Sequence, residues 1–201
     1  MPEPAYAAIS IDKNIKPING ISDARAGAVT IFAGVGHGSG FIISPSGYVI
    51  TNEHVVREAR FVKVRLANGR EILGDVVRTD PPRDVALIKV AESNLPCLSL
   101  RLTTSPDIGD EVYALGTPLS QKLDISVTKG IVSAYRDEGN LKYIQSDVQI
   151  HPGSSGGPLV DKNGNVVGIS VMGLGINGAS QNLNFFVPIT DAVSRLKIEF
   201  K

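Results

Sequence analysis

Short apolar runs, many of them alternating with polar residues, recur along the chain and are separated by turn dipeptides. Alternation with a period of two predicts half-buried β-strands, and Ser46-Gly47, Asn68-Gly69 and Asn163-Gly164 are typical of the turns between strands. Many short strands at this spacing predict an all-β fold built as an antiparallel sandwich or barrel. The runs that predict strands are Val29–Phe32, Gly40–Ile43, Tyr48–Thr51, Val62–Leu66, Glu71–Val77, Val85–Val90, Glu111–Leu115, Ile125–Ala134, Tyr143–Ser146, Pro158–Val160, Val166–Met172 and Asn184–Pro188.

The strands fall into two halves, separated by a segment with turn residues at Ser99–Gly109. We expect a first unit over about residues 23–100 and a second over about 106–188. The spacing of apolar residues over Ile189–Phe200 predicts a C-terminal helix, with Thr190 and Asp191 available to cap it. Residues 1–22 have weak periodicity, which leaves an extended arm that makes oligomer contacts and a disordered tail as alternatives.

A glycine-rich segment, Gly153–Leu159, surrounds Ser155. Such glycines allow a turn that directs the N–H groups of Gly153 and Ser155 at one point, as an oxyanion hole requires. We assign Gly153, Ser154 and Ser155 to this oxyanion hole, with the N–H of Ser154 helping to shape the turn. The pattern Gly-x-Ser-x-Gly also matches the nucleophile elbow of α/β-hydrolases. That fold requires a histidine after the serine, and His37, His54 and His151 all precede it.

His54 is the best candidate for the base, because it follows the strand-like run Tyr48–Thr51. His37 lies in a flexible glycine-rich turn, and His151 is only four positions before Ser155, so we expect neither to take part in the chemistry.

Asp84 opens the apolar run Val85–Val90, where a carboxylate is partly buried and needs a partner. Asp75, on an exposed strand, and Asp80, in a turn, are its rivals as the acid that orients His54. The order His54, Asp84, Ser155 is that of chymotrypsin-like double barrels.

The composition of the chain argues against nucleic acids and membranes as partners. The chain has 201 residues, 42% of them hydrophobic, with 20 basic and 20 acidic residues, which predicts neither nucleic-acid binding nor a polybasic membrane surface. Val166–Ile176 is the longest apolar stretch and is too short to span a bilayer. Met1–Ser10 lacks the features of a signal peptide, so the protein is either cytoplasmic, or periplasmic or secreted after removal of an export segment.

The single cysteine, Cys97, excludes an internal disulfide and lies in an apolar context typical of a buried structural thiol. No Cys/His cluster has zinc spacing, and we expect no cofactor or metal.

Several motifs, in order, resemble the trypsin-like serine proteases of the HtrA/Deg family over roughly residues 27–192. They are Gly38–Ile43, Gly47–Val56, Asp84–Val90, Gly116–Pro118, Gly130–Ser133, Ile144–Asp147, Gly153–Leu159 and Asn182–Phe185. The resemblance implies a chymotrypsin-like double six-stranded antiparallel β-barrel with a C-terminal helix. It also implies ATP-independent endoproteolysis of unfolded proteins, as in protein quality control, and assembly as a homotrimer, with a monomer as the alternative.

Three features depart from that family. Ser154 stands where the family usually has Asn, and it cannot make the ion pair that activates digestive proteases after N-terminal processing. No PDZ-like segment is recognisable, so we expect either a fragment or a member that works without peptide-sensing modules. The loop around Ser120-Gln121-Lys122 is short, so the family's regulation is not carried over.

We expect the specificity pocket to be lined by Gln149, Ile150 and the segment from Ser170 to Leu174. Its apolar members Ile150, Val171, Met172 and Leu174, with no acidic residue, predict cleavage after Val, Ile, Leu or Met. Two other functions stay open, namely a barrel with a collapsed oxyanion turn that acts as a binding or chaperone-like module, and a non-protease acyl hydrolase on the same fold.

Overall fold

The computed structural model describes residues 6–12, 16, 19–117, 125–171 and 183–201. Strands dominate this part of the chain, and three short helices accompany them. In chain order the elements are β1 (Ile9–Ile11), α1 (Ile21–Gly27), β2 (Ala28–Ala33), β3 (Gly36–Ile42), β4 (Tyr48–Thr51), α2 (Glu53–Val56), β5 (Phe61–Arg65), β6 (Glu71–Asp80), β7 (Val85–Val90), β8 (Glu111–Gly116), β9 (Ser126–Glu138), β10 (Leu141–Ser146), β11 (Pro158–Asp161), β12 (Val166–Val171), β13 (Asn184–Pro188), α3 (Ile189–Arg195) and β14 (Ile198–Phe200).

Twelve of the strands form two closed six-stranded antiparallel barrels, which confirms the predicted fold class. The first barrel has the strand order β2-β3-β4-β7-β6-β5, and the second has β10-β13-β12-β11-β8-β9. Closure removes free sheet edges, so each barrel satisfies its backbone hydrogen bonds internally.

The largest apolar cluster lies between the barrels rather than inside either one. Strand β7 is apolar except for Lys89, and its packing explains why: Val85 and Leu87 belong to this shared cluster, while Ala86 and Ile88 belong to the core of the first barrel. A strand that is buried on both faces has no polar alternation. Asp84 therefore lies at the end of a rigid, fully packed strand.

The C-terminal segment differs from the predicted helix over 189–200. Helix α3 ends at Arg195, Lys197 has a left-handed φ of 49°, and Ile198–Phe200 forms a strand instead. This strand pairs in parallel with Ile9–Ile11 of the N-terminal arm. The expected caps are also wrong, since no side chain caps α3 and Asp191 pairs with Arg83.

None of the helices within the described ranges has the length and apolar content needed to cross a lipid bilayer.

Candidate active site

His54 and Asp84 are in direct contact across the end of the first barrel. The ring Nδ1 of His54 lies 2.7 Å from Oδ2 of Asp84, and the backbone N–H of His54 donates to Oδ1 at 2.9 Å. His54 sits in the single turn of α2, directly after β4, and Asp84 directly precedes β7. Because β4 and β7 are paired neighbours, the two residues meet at the same end of the barrel.

Asp84 has an unusual backbone conformation, with a φ of 61°. Its N–H donates to the carbonyl of Pro81 at 3.1 Å, and its own carbonyl accepts a hydrogen bond from Asn52 Nδ2 at 3.0 Å. A non-glycine residue in the left-handed region needs such external support. The rival Asp80 is engaged elsewhere, because its Oδ1 accepts the N–H of Arg83 at 2.8 Å.

Ser155 lies in a tight turn between two glycines with left-handed backbone, Gly153 at a φ of 97° and Gly156 at 85°. The N–H of Ser154 donates to the carbonyl of His151 at 2.8 Å, and the N–H of Gly156 donates to that of Ser170 at 2.9 Å. Within the part of the chain that the structure describes, the N–H groups of Gly153 and Ser155 have no such partner. These two donors remain available to a ligand oxygen, whereas Ser154 shapes the turn.

Ser39 of β3 holds this turn against the first barrel, and sequence reasoning assigned it no role beyond the family motif. Its hydroxyl donates to the carbonyl of Gly153 at 2.7 Å and accepts the N–H of Thr117 at 2.9 Å. Its backbone N–H donates to the carbonyl of Ser155 at 2.8 Å. One buried residue therefore connects the first barrel to the turn that carries the serine.

The glycine-rich segment around His37 is a strand, not the flexible turn that we expected. Gly36, Gly38 and Gly40 alternate along β3, so one face of the strand carries no side chain until Ile42. A Cβ on Gly38 would lie 2.6 Å from the side chain of Val55 and 3.1 Å from the carbonyl oxygen of Ser155. The glycines let β3 approach both halves of the site, and their period of two was the signal for a strand.

His54 and Ser155 line the same open cleft, of about 570 Å³. Gly153, Pro152 and the β2–β3 hairpin around Val35 form its other walls. His37 also faces this cleft, and its Nε2 is buried with no hydrogen-bond partner among the described residues. A chain segment that enters the cleft therefore meets both His54 and Ser155.

The residues expected to determine specificity lie beside this turn where the structure describes them. Ser170 and Val171 are buried on β12, next to the turn that carries Ser155, and Ile150 is partly buried in the segment that leads into this turn. Gln149 is exposed. Met172 and Leu174 lie outside the described residues, as does the loop at residues 120–122.

Cys97 is partly buried against the core of the first barrel, and burial raises the pKa of its thiol to about 11. Such a thiol is a poor nucleophile at neutral pH. Over the described residues, His, Cys, Asp and Glu side chains form no group of three that would hold a metal ion.

Comparisons with known proteins agree with this geometry. A family model described as a trypsin-like peptidase domain matches residues 38–169. The chain is 46% identical over 160 residues to a probable periplasmic serine endoprotease, DegP-like, from Pseudomonas putida, and 42% identical to one from Halomonas elongata. Each alignment covers 78% of this chain and 33% of the relative, so the chain spans about a third of the length of these curated relatives.

Solved structures show the same likeness. The serine endoprotease from Yersinia pestis matches with a TM-score of 0.76 and 31% identity, over 86% of this chain and 64% of that one. The HtrA-type protease AlgW, solved with a tripeptide, matches with a TM-score of 0.77 and 34% identity, over 86% of this chain and 61% of that one.

Proposed function

The chain belongs to the family of trypsin-like peptidases, and from this premise we propose that it is a serine endopeptidase with His54, Asp84 and Ser155 as its catalytic triad. The observation that carries the proposal is that His54, which lies 2.7 Å from Asp84, lines the same cleft as Ser155. A serine hydroxyl needs a base, and the base needs a carboxylate that holds it in the correct tautomer. Asp84 also accepts the backbone N–H of His54, so it orients ring and backbone together.

In the proposed mechanism His54 removes the proton of Ser155 as the hydroxyl oxygen attacks a peptide carbonyl. Asp84 stabilises the imidazolium that forms. The unpartnered N–H groups of Gly153 and Ser155 would bind the oxyanion of the tetrahedral intermediate. His54 then protonates the leaving amine, and water releases the acyl-enzyme in the second half of the reaction.

We place the oxyanion hole at Gly153 and Ser155 and leave Ser154 out of it. The N–H of Ser154 is occupied by the carbonyl of His151, and the Ser154 hydroxyl accepts the N–H of His151 at 3.2 Å. These two hydrogen bonds join His151 to Ser154 and close a small loop that encloses Pro152 and Gly153. The role of Ser154 is therefore to hold the turn in which the other two donors stay free.

For substrates we propose unfolded or flexible protein segments, cleaved after Val, Ile, Leu or Met. An extended chain exposes its backbone to the donors of the site, which a folded substrate does not. Ser170, Val171 and Ile150 are the described residues beside the nucleophile turn, and none of them is acidic. A pocket without a carboxylate provides no partner for Lys or Arg.

Hydrolysis of unfolded β-casein by the parent chain and by its Ser155→Ala variant tests this function, with cut sites read by mass spectrometry. We expect cleavage by the parent, none by the variant, and cut sites after apolar residues. Cleavage mainly after Lys or Arg would overturn the specificity and leave the peptidase standing. If neither protein cleaves, and a fluorophosphonate does not label Ser155, the binding module replaces the peptidase.

A further inference from the structure

Arg83 immediately precedes Asp84 and is fully buried, with 1% of its surface exposed. It is the largest of the fully buried side chains in the described part of the molecule. Burial of a guanidinium is costly unless its charge is paired and its donors are bonded. The partners of the Arg83 guanidinium must therefore offset the cost of burying its charge.

The ion-pair partner, the hydrogen-bond acceptor and the aromatic ring that this guanidinium contacts all lie outside the barrel to which Arg83 belongs. The Nε and Nη1 atoms of Arg83 are buried and have no hydrogen-bond partner among the described residues. Its Nε lies 2.7 Å from Oδ2 of Asp191 on α3, and its Nη2 donates to the carbonyl of Lys142 on β10 at 2.5 Å. Its central carbon lies 4.5 Å from the centroid of the Tyr143 ring. Burial lowers the pKa of the guanidinium, and the Asp191 carboxylate opposes that shift. The side chain thus links the first barrel to the second barrel and its C-terminal helix.

The same end of the β6–β7 hairpin is tied to the C-terminal segment at two further points. Arg78 Nη1 donates to the carbonyl of Leu196 at 2.7 Å, and Arg195 lies 3.7 Å from the carboxylate of Asp80. Arg78, Asp80 and Arg83 are therefore bonded to parts of the chain outside the first barrel. Arg83 is the member of this set that adjoins Asp84.

Asp84 needs such support, because its left-handed φ of 61° is unfavourable for a residue with a side chain. Conformations of this kind persist only where the surroundings determine them. Arg83 is fixed on its own backbone by Asp80, which accepts its N–H at 2.8 Å, and at its tip by the second barrel. With both ends of Arg83 held, the following residue has little freedom to leave its conformation.

We propose that Arg83 is a positioning residue for catalysis, which holds the Asp84 carboxylate against His54 by anchoring the acid turn, Asp80–Asp84, to the second barrel. The proposal rests on the proposed function. His54 and Asp84 belong to the first barrel and Ser155 to the second, so a drift of one barrel against the other separates the proposed reacting groups. Arg83 couples the acid turn directly to the barrel that carries the serine.

The experiment compares Arg83→Met with the parent and with Arg70→Met as a matched control. Methionine replaces the guanidinium with a flexible apolar side chain that fills much of the same space. The Asp191 carboxylate loses its partner, but its side chain is 34% exposed, so water limits the cost of leaving it unpaired. Arg70 also forms an ion pair, 2.6 Å from Glu92, but on the exposed surface. For each protein we would measure kcat and KM on a peptide substrate, the thermal midpoint, and the proton NMR signal of the His54 Nδ1–H.

We expect Arg83→Met to stay folded and to lose kcat by about 10²-fold, with KM little changed, because a misplaced catalytic group costs rate rather than binding. Its downfield Nδ1–H signal should shift or vanish, while Arg70→Met keeps both the parental kcat and the signal. A folded Arg83→Met protein with parental kcat and parental Nδ1–H signal would overturn the proposal.

Two results of this experiment would require a further measurement. If Arg83→Met fails to fold, Asp191→Asn decides, since it keeps the shape of the partner and removes its charge. We expect Asp191→Asn to lower kcat as well, by a smaller factor than Arg83→Met. A folded Asp191→Asn protein with the parental kcat and the parental NMR signal would refute the inference. If the parent itself has no turnover, the proposed function fails, and the His54 signal of the variants still tests the positioning role.

Discussion

Both carboxylate oxygens of Asp84 are used by His54, one by the ring Nδ1 at 2.7 Å and one by the backbone N–H at 2.9 Å. The second contact fixes the position of the His54 backbone relative to the carboxylate, and the first then fixes the rotation of the ring. In the proposed triad Nδ1–H donates to Asp84, which leaves the other ring nitrogen, Nε2, to act as the base.

Replacing Asp84 with Asn should leave the fold intact and remove most of the activity. The Asn oxygen still accepts one hydrogen bond, but its NH₂ group favours the wrong tautomer of His54, which costs about 10⁴-fold in kcat at such a triad. The kcat on a peptide substrate and the rate of fluorophosphonate labelling should fall together. An unchanged kcat would exclude Asp84 as the orienting acid.

Alanine substitutions at Gly156 and Gly69 distinguish the effect of backbone strain from the effect of a steric clash. Gly156 and Gly69 both have a φ of 85°, but a Cβ on Gly156 would collide with the carbonyl of Ser39 and the hydroxyl of Thr51, whereas Gly69 has open space. Gly69→Ala should cost about 1 kcal/mol of unfolding free energy with full specific activity. Gly156→Ala should cost more and abolish peptide hydrolysis, as measured by urea unfolding and by kcat. Equal losses of unfolding free energy and of kcat in the two variants would contradict the packing argument.

Ser39→Ala should loosen the nucleophile turn without breaking the barrel. It leaves the Thr117 N–H and the Gly153 carbonyl without their partner, at about 1–3 kcal/mol for each buried group. If the turn moves, kcat falls by about tenfold for every 1.4 kcal/mol of lost transition-state stabilisation. Thr30→Val is the control, because it removes a buried hydroxyl hydrogen bond to Thr117 at 2.7 Å that does not contact the turn. A parental kcat in Ser39→Ala would show that Gly153 holds its position unaided.

The Cys97 thiol should react slowly with iodoacetamide at pH 8, because burial raises its pKa from 9.0 to about 11. Between these two values the unfolded chain loses the thiol proton while the folded chain keeps it. The free energy of unfolding therefore falls as pH rises from 9 to 11, and this contribution is fully present below pH 9. In Cys97→Ala the free energy of unfolding, measured by urea titration, should fall less between pH 9 and pH 11 than it does in the parent. A thiol that reacts at pH 8 as fast as a free cysteine would contradict the raised pKa.

The strands and turns were predictable from the sequence because alternating runs and turn dipeptides depend on neighbouring residues. That pattern left a sandwich or a barrel open. The double barrel was expected from the order of His54, Asp84 and Ser155 and from the resemblance to the HtrA/Deg family. Strand β7 illustrates the limit of this method: its continuous apolar run predicted burial, but nothing local indicated that its two faces pack into different cores.

The features that sequence analysis missed depend on partners far along the chain. Asp191 has the position of a helix cap, and only the fold brings the guanidinium of Arg83 to it. Likewise, Ile198–Phe200 continues the apolar spacing of α3, and the switch to a strand follows from a partner at the other end of the chain. Ser39 appeared only as part of a motif, because its acceptor, Gly153, lies in the second barrel.

The pairing of β1 with β14 sets an order of events during synthesis. Ile9–Ile11 is among the first described segments to leave the ribosome, yet its partner strand is not made until Ile198–Phe200 has been translated. At about 5–20 residues per second, the first strand waits many seconds for the last one. Every strand of the two barrels is translated before Ile198–Phe200, so closure of the β1–β14 sheet is a late step that cannot precede the synthesis of those residues.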